Sequence, residues 1–230
     1  MRIVALCGGV GGSRLLRGLV DVAGARNVTA IVNTGDDEEF HGLYVSPDPD
    51  IVTYALAGLV DDERGWGYRG ETFRFLEALR RFGRETWFQI GDRDLATHLH
   101  RTRLLRQGWT LSQVTADLAR RLGVETAILP MSDDRVRTKV VTDAGTLSFQ
   151  EYLVRRRARD PVRAVVYEGA GDARPAPGVI EAIADADAVV IAPSNPVASV
   201  GPILALSAIR RAVTAHPRVV AVSPIIGGRS

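Results

Sequence analysis

Residues 2–20, RIVALCGGVGGSRLLRGLV, decide the fold. Arg2–Leu6 is a short apolar run that stops at Gly8-Gly9-Val10-Gly11-Gly12, after which Leu15, Leu16, Leu19 and Val20 recur at helical spacing. A strand, a glycine loop and a helix in that order open a doubly wound α/β domain. The glycines let backbone amides approach an anion, and the helix that follows directs its positive end to the same place. The spacing is not that of a Walker loop, which needs Gly-Lys-Ser/Thr. Nor is it a G-x-G-x-x-G fingerprint, because position 14 is arginine. Gly9, Gly11 and Gly12 are the phosphate-binding candidates, with Arg14 and Arg17 within reach of a diphosphate.

Working outward, Val28–Val32 reads as a second strand ending at the polar loop Asn33-Thr34-Gly35-Asp36-Asp37. Ligands of open α/β sheets sit at such strand ends. Asp36, Asp37, Glu38, Glu39, His41, Asp48 and Asp50 form an acidic segment beside the glycine loop, the oxygen-ligand chemistry that a hard cation such as Mg²⁺ requires. Ser46-Pro47-Asp48-Pro49-Asp50 reads as a loop stiffened by two prolines. From about 51 to 123 the pattern turns mostly helical, a helical insertion with helices over 92–107 and 110–122, Thr110 as N-cap and Gly123 as stop. Positions 94, 97, 98 and 101 share one polar face of the first of these. A hairpin is expected over 136–142 and 146–149, and parallel strands over 162–167, 188–192 and 219–222, with helices over 178–183 and 203–213. Two more polar loops, Pro130–Asp134 and Pro193–Pro196, follow apolar strands and belong to the same rim. At the end, Val222–Gly228 reads as a strand entering another glycine loop. A helix should follow such a loop, so the chain is expected to be truncated at its carboxyl end.

Composition bounds the rest. The 230 residues are 46% hydrophobic and 24% charged, which excludes a disordered or collagen-like chain, and aromatics are only 6%, so the core is aliphatic. The single cysteine, Cys7, has no partner within the chain, in keeping with a reducing, cytoplasmic compartment. A net charge of +2 and one short arginine cluster at 155–159 give no case for nucleic acid, and no apolar run is long enough for a membrane span. Lys139 is the only lysine. His98 and His100 lie on different helix faces and no other histidine or cysteine completes a zinc site. The absence of Gly-x-Ser-x-Gly argues against a serine hydrolase. A dinucleotide oxidoreductase would need an acidic residue closing the second strand, where Asn33 stands.

In order along the chain, CGGVGGSRLLRGL (7–19), NTGDDEEFHGLYVSPDPD (33–50), RGWGYRGETF (64–73), GDRDLATHLHRT (91–102), PMSDD (130–134), FQEYLV (149–154), APSNPVASVGPIL (192–204) and VSPIIGG (222–228) resemble the 2-phospho-L-lactate transferase family of coenzyme F420 biosynthesis, whose bacterial branch is called phosphoenolpyruvate transferase. The resemblance implies a Rossmann-like α/β fold with a mostly parallel sheet flanked by helices, one domain over 1–230. It implies transfer of a phosphoacid, phosphoenolpyruvate or 2-phospho-L-lactate, from its guanylyl-diphosphate-activated form to the deazaflavin FO, with release of GMP. The guanylyl diphosphate is expected across Gly9, Gly11 and Gly12 with Ser194 and Asn195 nearby, and Mg²⁺ on Asp36 and Asp37. FO is expected on Asp50 and Arg93, with Asp50 orienting its hydroxyl or accepting its proton. The partners expected are these small molecules and a second copy of the chain as a homodimer. Two alternatives remain: a nucleotide-sugar-binding regulatory relative of the same superfamily, and a non-catalytic fragment.

Overall fold

The computed structural model describes residues 1–225. Its centre is a five-stranded parallel sheet built from β1 (Ile3–Cys7), β2 (Val28–Val32), β5 (Ala127–Pro130), β9 (Ala188–Ile191) and β10 (Val219–Ala221), in the order β10-β9-β1-β2-β5. Strand alternation divides the core in two. Val4, Leu6, Ile31 and Val189 face α6 (Val179–Asp185), α7 (Gly201–Ala205) and α8 (Ser207–Ala215), burying Ile183, Ile203, Ile209 and Val213. The smaller Ala5, Cys7, Ala30 and Val32 face α1 (Gly9–Ala23) and α2 (Pro47–Leu56), which lets Leu16 and Val52 pack close to the sheet. From β1 the order runs one way through β2 and β5, then resumes on the other side with β9. The reversal between β1 and β9 opens a crevice at their carboxyl ends.

The remaining elements surround that crevice. A short hairpin, β3 (Glu38–Phe40) and β4 (Leu43–Val45), follows the acidic loop. Helices α3 (Arg74–Arg80), α4 (Asp92–Arg106) and α5 (Leu111–Arg121) come next; Thr110 caps α5 in a reciprocal capping box with Gln113. A second sheet, β7-β6-β8, holds β6 (Arg137–Thr142), β7 (Gly145–Ser148) and β8 (Val162–Glu168). Two π-helical turns, Glu151–Arg155 and Pro196–Val200, flank the crevice. Among the described residues no single helix is long and apolar enough to cross a membrane.

Three expectations need correction. The strand over 162–167 is not parallel: β8 pairs antiparallel with β6, and its half-exposed pattern is that of an edge strand, not of a strand covered on both faces. The prolines of 46–50 do not stiffen a loop; Pro47 opens α2, where a missing amide hydrogen costs nothing. The mostly helical region 51–123 is interrupted by irregular chain over 57–73 and 81–91. The helix over 203–213 breaks at Leu206, and the flanking helical segments bend by 94°. Of the final glycine loop, residues 226–228 lie outside the described residues.

Candidate functional site

A cavity of about 550 Å³ fills the crevice. Gly8, Gly9, Gly11, Pro193, Ser194 and Asn195 line it from the two rim loops, and Trp66, Phe88, Phe149, Leu153 and Val154 add aromatic and aliphatic side chains. Asp36, Asp48 and Asp50 line it too.

The glycine wall is locked across the crevice. Ser194 Oγ donates to the Gly8 carbonyl at 2.7 Å and accepts the Gly8 amide at 3.1 Å. Gly9, at φ +63°, takes a left-handed conformation and donates its amide to Asp48 Oδ1 at 2.8 Å. A Cβ on Gly11 would strike the Pro193 carbonyl, so the two rim loops approach as closely as backbone allows. Gly12 does something else. It does not line the cavity, and a Cβ there would meet Ser194 Oγ at 2.7 Å and Cys7 Cβ at 2.8 Å. Having no Cβ at this position allows α1 to pack closely on β1.

Two carboxylate groups occupy the floor. In the first, the Asn33 side-chain amide donates to Asp36 Oδ1 at 3.0 Å and to Asp48 Oδ2 at 2.9 Å, which brings the two carboxylates together, and Gln150 Nε2 donates to the other oxygen of Asp36 at 3.0 Å. Neither acid has a basic side chain within 4.0 Å among the described residues. Burial pushes Asp48 up to about 6, and burial together with the neighbouring charge of Asp48 pushes Asp36 well above the ordinary range. In the second group, Arg101 on α4 grips both oxygens of Asp50, one through Nη1 at 3.1 Å and the other through Nη2. The same Nη1 lies 3.3 Å from His98 Nδ1. A guanidinium only donates, so Nδ1 carries the lone pair and the ring proton sits on Nε2, 3.2 Å from Asp94 Oδ2 but not aligned for a hydrogen bond. Tyr54 donates to the other Asp94 oxygen at 2.6 Å. Asp50, Asp94 and His98 offer ligand atoms within 4.8 Å of one another, as a metal site would. Arg101 already supplies the positive charge there.

Other expected residues lie elsewhere. Asp37 faces away from this cavity toward a second one, accepting from Ser46 Oγ at 2.7 Å and Tyr44 OH at 3.0 Å; burial pushes it up to about 7. Asp36 lines both cavities, beside Asp48 in the first and Asp37 in the second. Arg93 is exposed, reaches the Arg69 carbonyl at 3.0 Å and does not line the cavity. Arg17 pairs with Asp62 on the surface at 2.8 Å, and Arg14 is likewise exposed away from the cavity. Asn195 lines the cavity, but its side-chain oxygen is used in capping, accepting Val197 N and Ala198 N, both at 2.9 Å.

The profile of the family described as 2-phospho-L-lactate transferase CofD matches residues 3–230. The chain belongs to this family. It is 51% identical to a phosphoenolpyruvate transferase of Kitasatospora aureofaciens and 48% identical to a 2-phospho-L-lactate transferase of Methanopyrus kandleri, in each case over 99% of this chain and 73% of the relative. Among solved structures, a UPF0052 family protein of Bacillus halodurans superposes with a TM-score of 0.64 at 21% identity, over 94% of this chain and 66% of that one, a likeness of fold. The family is one of transferases, in agreement with the motif resemblance, and the parallel sheet flanked by helices agrees with the Rossmann-like expectation.

Several cavity residues escaped the sequence reasoning. Trp66, Phe88, Phe149, Leu153 and Val154 come from irregular chain and a π-helical turn, which leave no periodic signal. Asp48 was visible only as one member of an acidic stretch. The shared polar face of α4 was legible, and it does supply Asp94 and His98 to the cavity.

Proposed function

We propose that this family member transfers a phosphoacid, phosphoenolpyruvate or 2-phospho-L-lactate, from a guanylyl-activated diphosphate to the deazaflavin FO in coenzyme F420 biosynthesis, releasing GMP. The observation that carries the reading is the lining of the main cavity, which joins the glycine loop at the start of α1, buried acids, and aromatic and aliphatic side chains. A diphosphate suits the start of α1. A flat, largely apolar ring suits the aromatic and aliphatic side chains.

The acceptor's ribityl hydroxyl oxygen bonds to the phosphorus next to the organic acid. The bond from that phosphorus to the guanylyl phosphate oxygen breaks, GMP departs, and the hydroxyl proton is released. Such displacement depends on alignment and charge stabilisation more than on a strong base. Asp50 is suited to orient the hydroxyl, because a carboxylate gripped at both oxygens by a buried guanidinium is held in one place. Asp36 and Asp48 fit Mg²⁺: two converging oxygen donors whose charge no basic side chain within 4.0 Å offsets among the described residues. When bound, the ion would neutralise charge on the diphosphate. A homodimer in the cytoplasm completes the reading.

The test is a transfer assay with FO, Mg²⁺ and synthetic guanylyl-activated phosphoenolpyruvate or phospholactate, with products identified by mass spectrometry. An FO adduct together with GMP supports the proposal, and the preferred donor names the phosphoacid. Binding of a nucleotide sugar with no FO adduct from either donor would overturn it.

A further inference from the structure

A second cavity, of about 370 Å³, opens beside the first over β6. The two share Asp36 and Phe149 but differ in their other walls. Arg137 and Lys139 line the second one from alternate positions of β6, so they stand on one side of the strand roughly 7 Å apart, and Arg135 lines it from the chain just before β6. None of the three has a carboxylate within 4.0 Å among the described residues. Arg137 is held by the Val136 carbonyl at 2.7 Å and the Tyr44 hydroxyl at 3.3 Å. Lys139 is half-buried and has no side-chain hydrogen bond at all among the described residues. It is also the single lysine among 29 lysines and arginines. A part-buried ammonium with nothing to offset its lost hydration is costly, and the cost points to a partner from outside the chain.

Five acids line this cavity as well. Asp133 accepts from Ser112 N at 2.7 Å and Ser112 Oγ at 2.8 Å, holding the start of α5, and Glu38 accepts from Ser148 Oγ at 2.8 Å. Asp36 accepts from Asn33 and Gln150, and Asp37 from Ser46 and Tyr44; burial raises the cost of charge on both, and Glu39 is exposed to solvent. Trp109, on the loop between α4 and α5, is 42% exposed at the cavity wall. An exposed indole beside unpaired cations is a surface for a flat group that carries an anion.

We propose that this cavity is a second binding site, for a small organic phosphate whose anionic group lies on Lys139 with Arg135 and Arg137, and whose flat portion lies on Trp109. The site does not depend on the transfer reaction proposed above. A nucleoside monophosphate and a free phosphoacid share the required chemistry.

The experiment titrates the full chain with GMP, phosphoenolpyruvate and inorganic phosphate, following the fluorescence of Trp109 as the difference between the unaltered protein and Trp109→Phe. At least one of the two esters should give a saturable Trp109 signal, and the stronger one names the source. Lys139→Gln should weaken that binding about tenfold, the loss of one charged hydrogen bond. Lys139→Arg, which keeps the charge, should stay within about threefold. Thermal unfolding of each variant checks that the fold is intact. A Trp109 signal absent with both esters at millimolar concentration would overturn the site. So would an affinity left unchanged by both Lys139→Gln and Arg135→Gln. Inorganic phosphate binding as tightly as either ester would overturn the assignment to an organic phosphate.

Discussion

Asp48 and Asp50 stand in the first turn of the same helix and are equally buried, each 6% exposed, yet their surroundings are opposite. Asp50 meets a guanidinium that grips both its oxygens. Asp48 meets an amide, a backbone N–H and another carboxylate. Burial raises the cost of charge at both positions, and what decides their behaviour is whether a cation comes with the fold. Asp50 belongs to a closed ion pair. Asp48 and Asp36 form an anionic pair whose natural complement is a cation from solution.

The sharpest way to break this contrast is to delete each carboxylate in turn. Asp50→Ala should destabilise by about 3–5 kcal/mol, because Arg101 is left charged and buried without its partner. Asp48→Ala removes only the acceptor for Gly9 N and Asn33 and should cost about 1–2 kcal/mol in urea unfolding. Equal losses would mean that the two carboxylates are not electrostatically distinct.

The next effect is on pH. Asp48, pushed up to about 6, and Asp37, pushed up to about 7, hold protons more tightly folded than unfolded. Their contribution to stability is therefore lost as pH rises from about 4 toward 7, at roughly 1.4 kcal/mol per pH unit for each group fully within its window. The urea midpoint should be lower at pH 8 than at pH 5, and millimolar Mg²⁺ should recover much of the difference at pH 8 while doing little at pH 5. A midpoint indifferent to Mg²⁺ at both values would remove the Asp36–Asp48 pair as a cation site.

Smaller effects separate the cavity from its supports. Gly12→Ala should cost about 1–3 kcal/mol through overpacking against Cys7 and Ser194. Once folded, the variant should bind GDP with affinity close to that of the parent, as judged by calorimetry; a loss of more than tenfold would return Gly12 to the phosphate contacts. Smallest of all, Arg93→Ala should change stability by less than about 0.5 kcal/mol and leave FO affinity within about twofold, since Arg93 is exposed outside the cavity. A large loss of FO affinity would extend the acceptor surface onto the start of α4.

The same contrast shows how much the sequence discloses. β1, the glycines, α1, β2 and the acidic loop were legible because a strand's apolar run, a glycine cluster and a helical period are local signals. The rim loops after β5 and β9 followed from the same logic. The pairing of β8 with β6 was not legible, since an apolar run specifies a strand without specifying its neighbour or direction. Membership of the pairs was equally hidden. Asp36 and Asp37 are adjacent in the chain, yet Asp36 lines both cavities and Asp37 the second, while Asp36 and Asp48 meet on one Asn33 amide, and Asp50 finds Arg101 from another helix. Motif resemblance carried Arg93 to the acceptor site by position alone, and the fold leaves its side chain exposed beside Arg69.

The reciprocal bonds between Gly8 and Ser194 join residues 186 apart in the chain. The time at which the crevice can exist follows from that separation. During synthesis the glycine loop emerges almost at once, but its partner loop arrives only when β9 has left the ribosome and been inserted beside β1. The anion cradle is thus among the last parts of the molecule to mature, and nascent chains halted before Ser194 would carry every glycine of that loop and still have no crevice to offer a nucleotide.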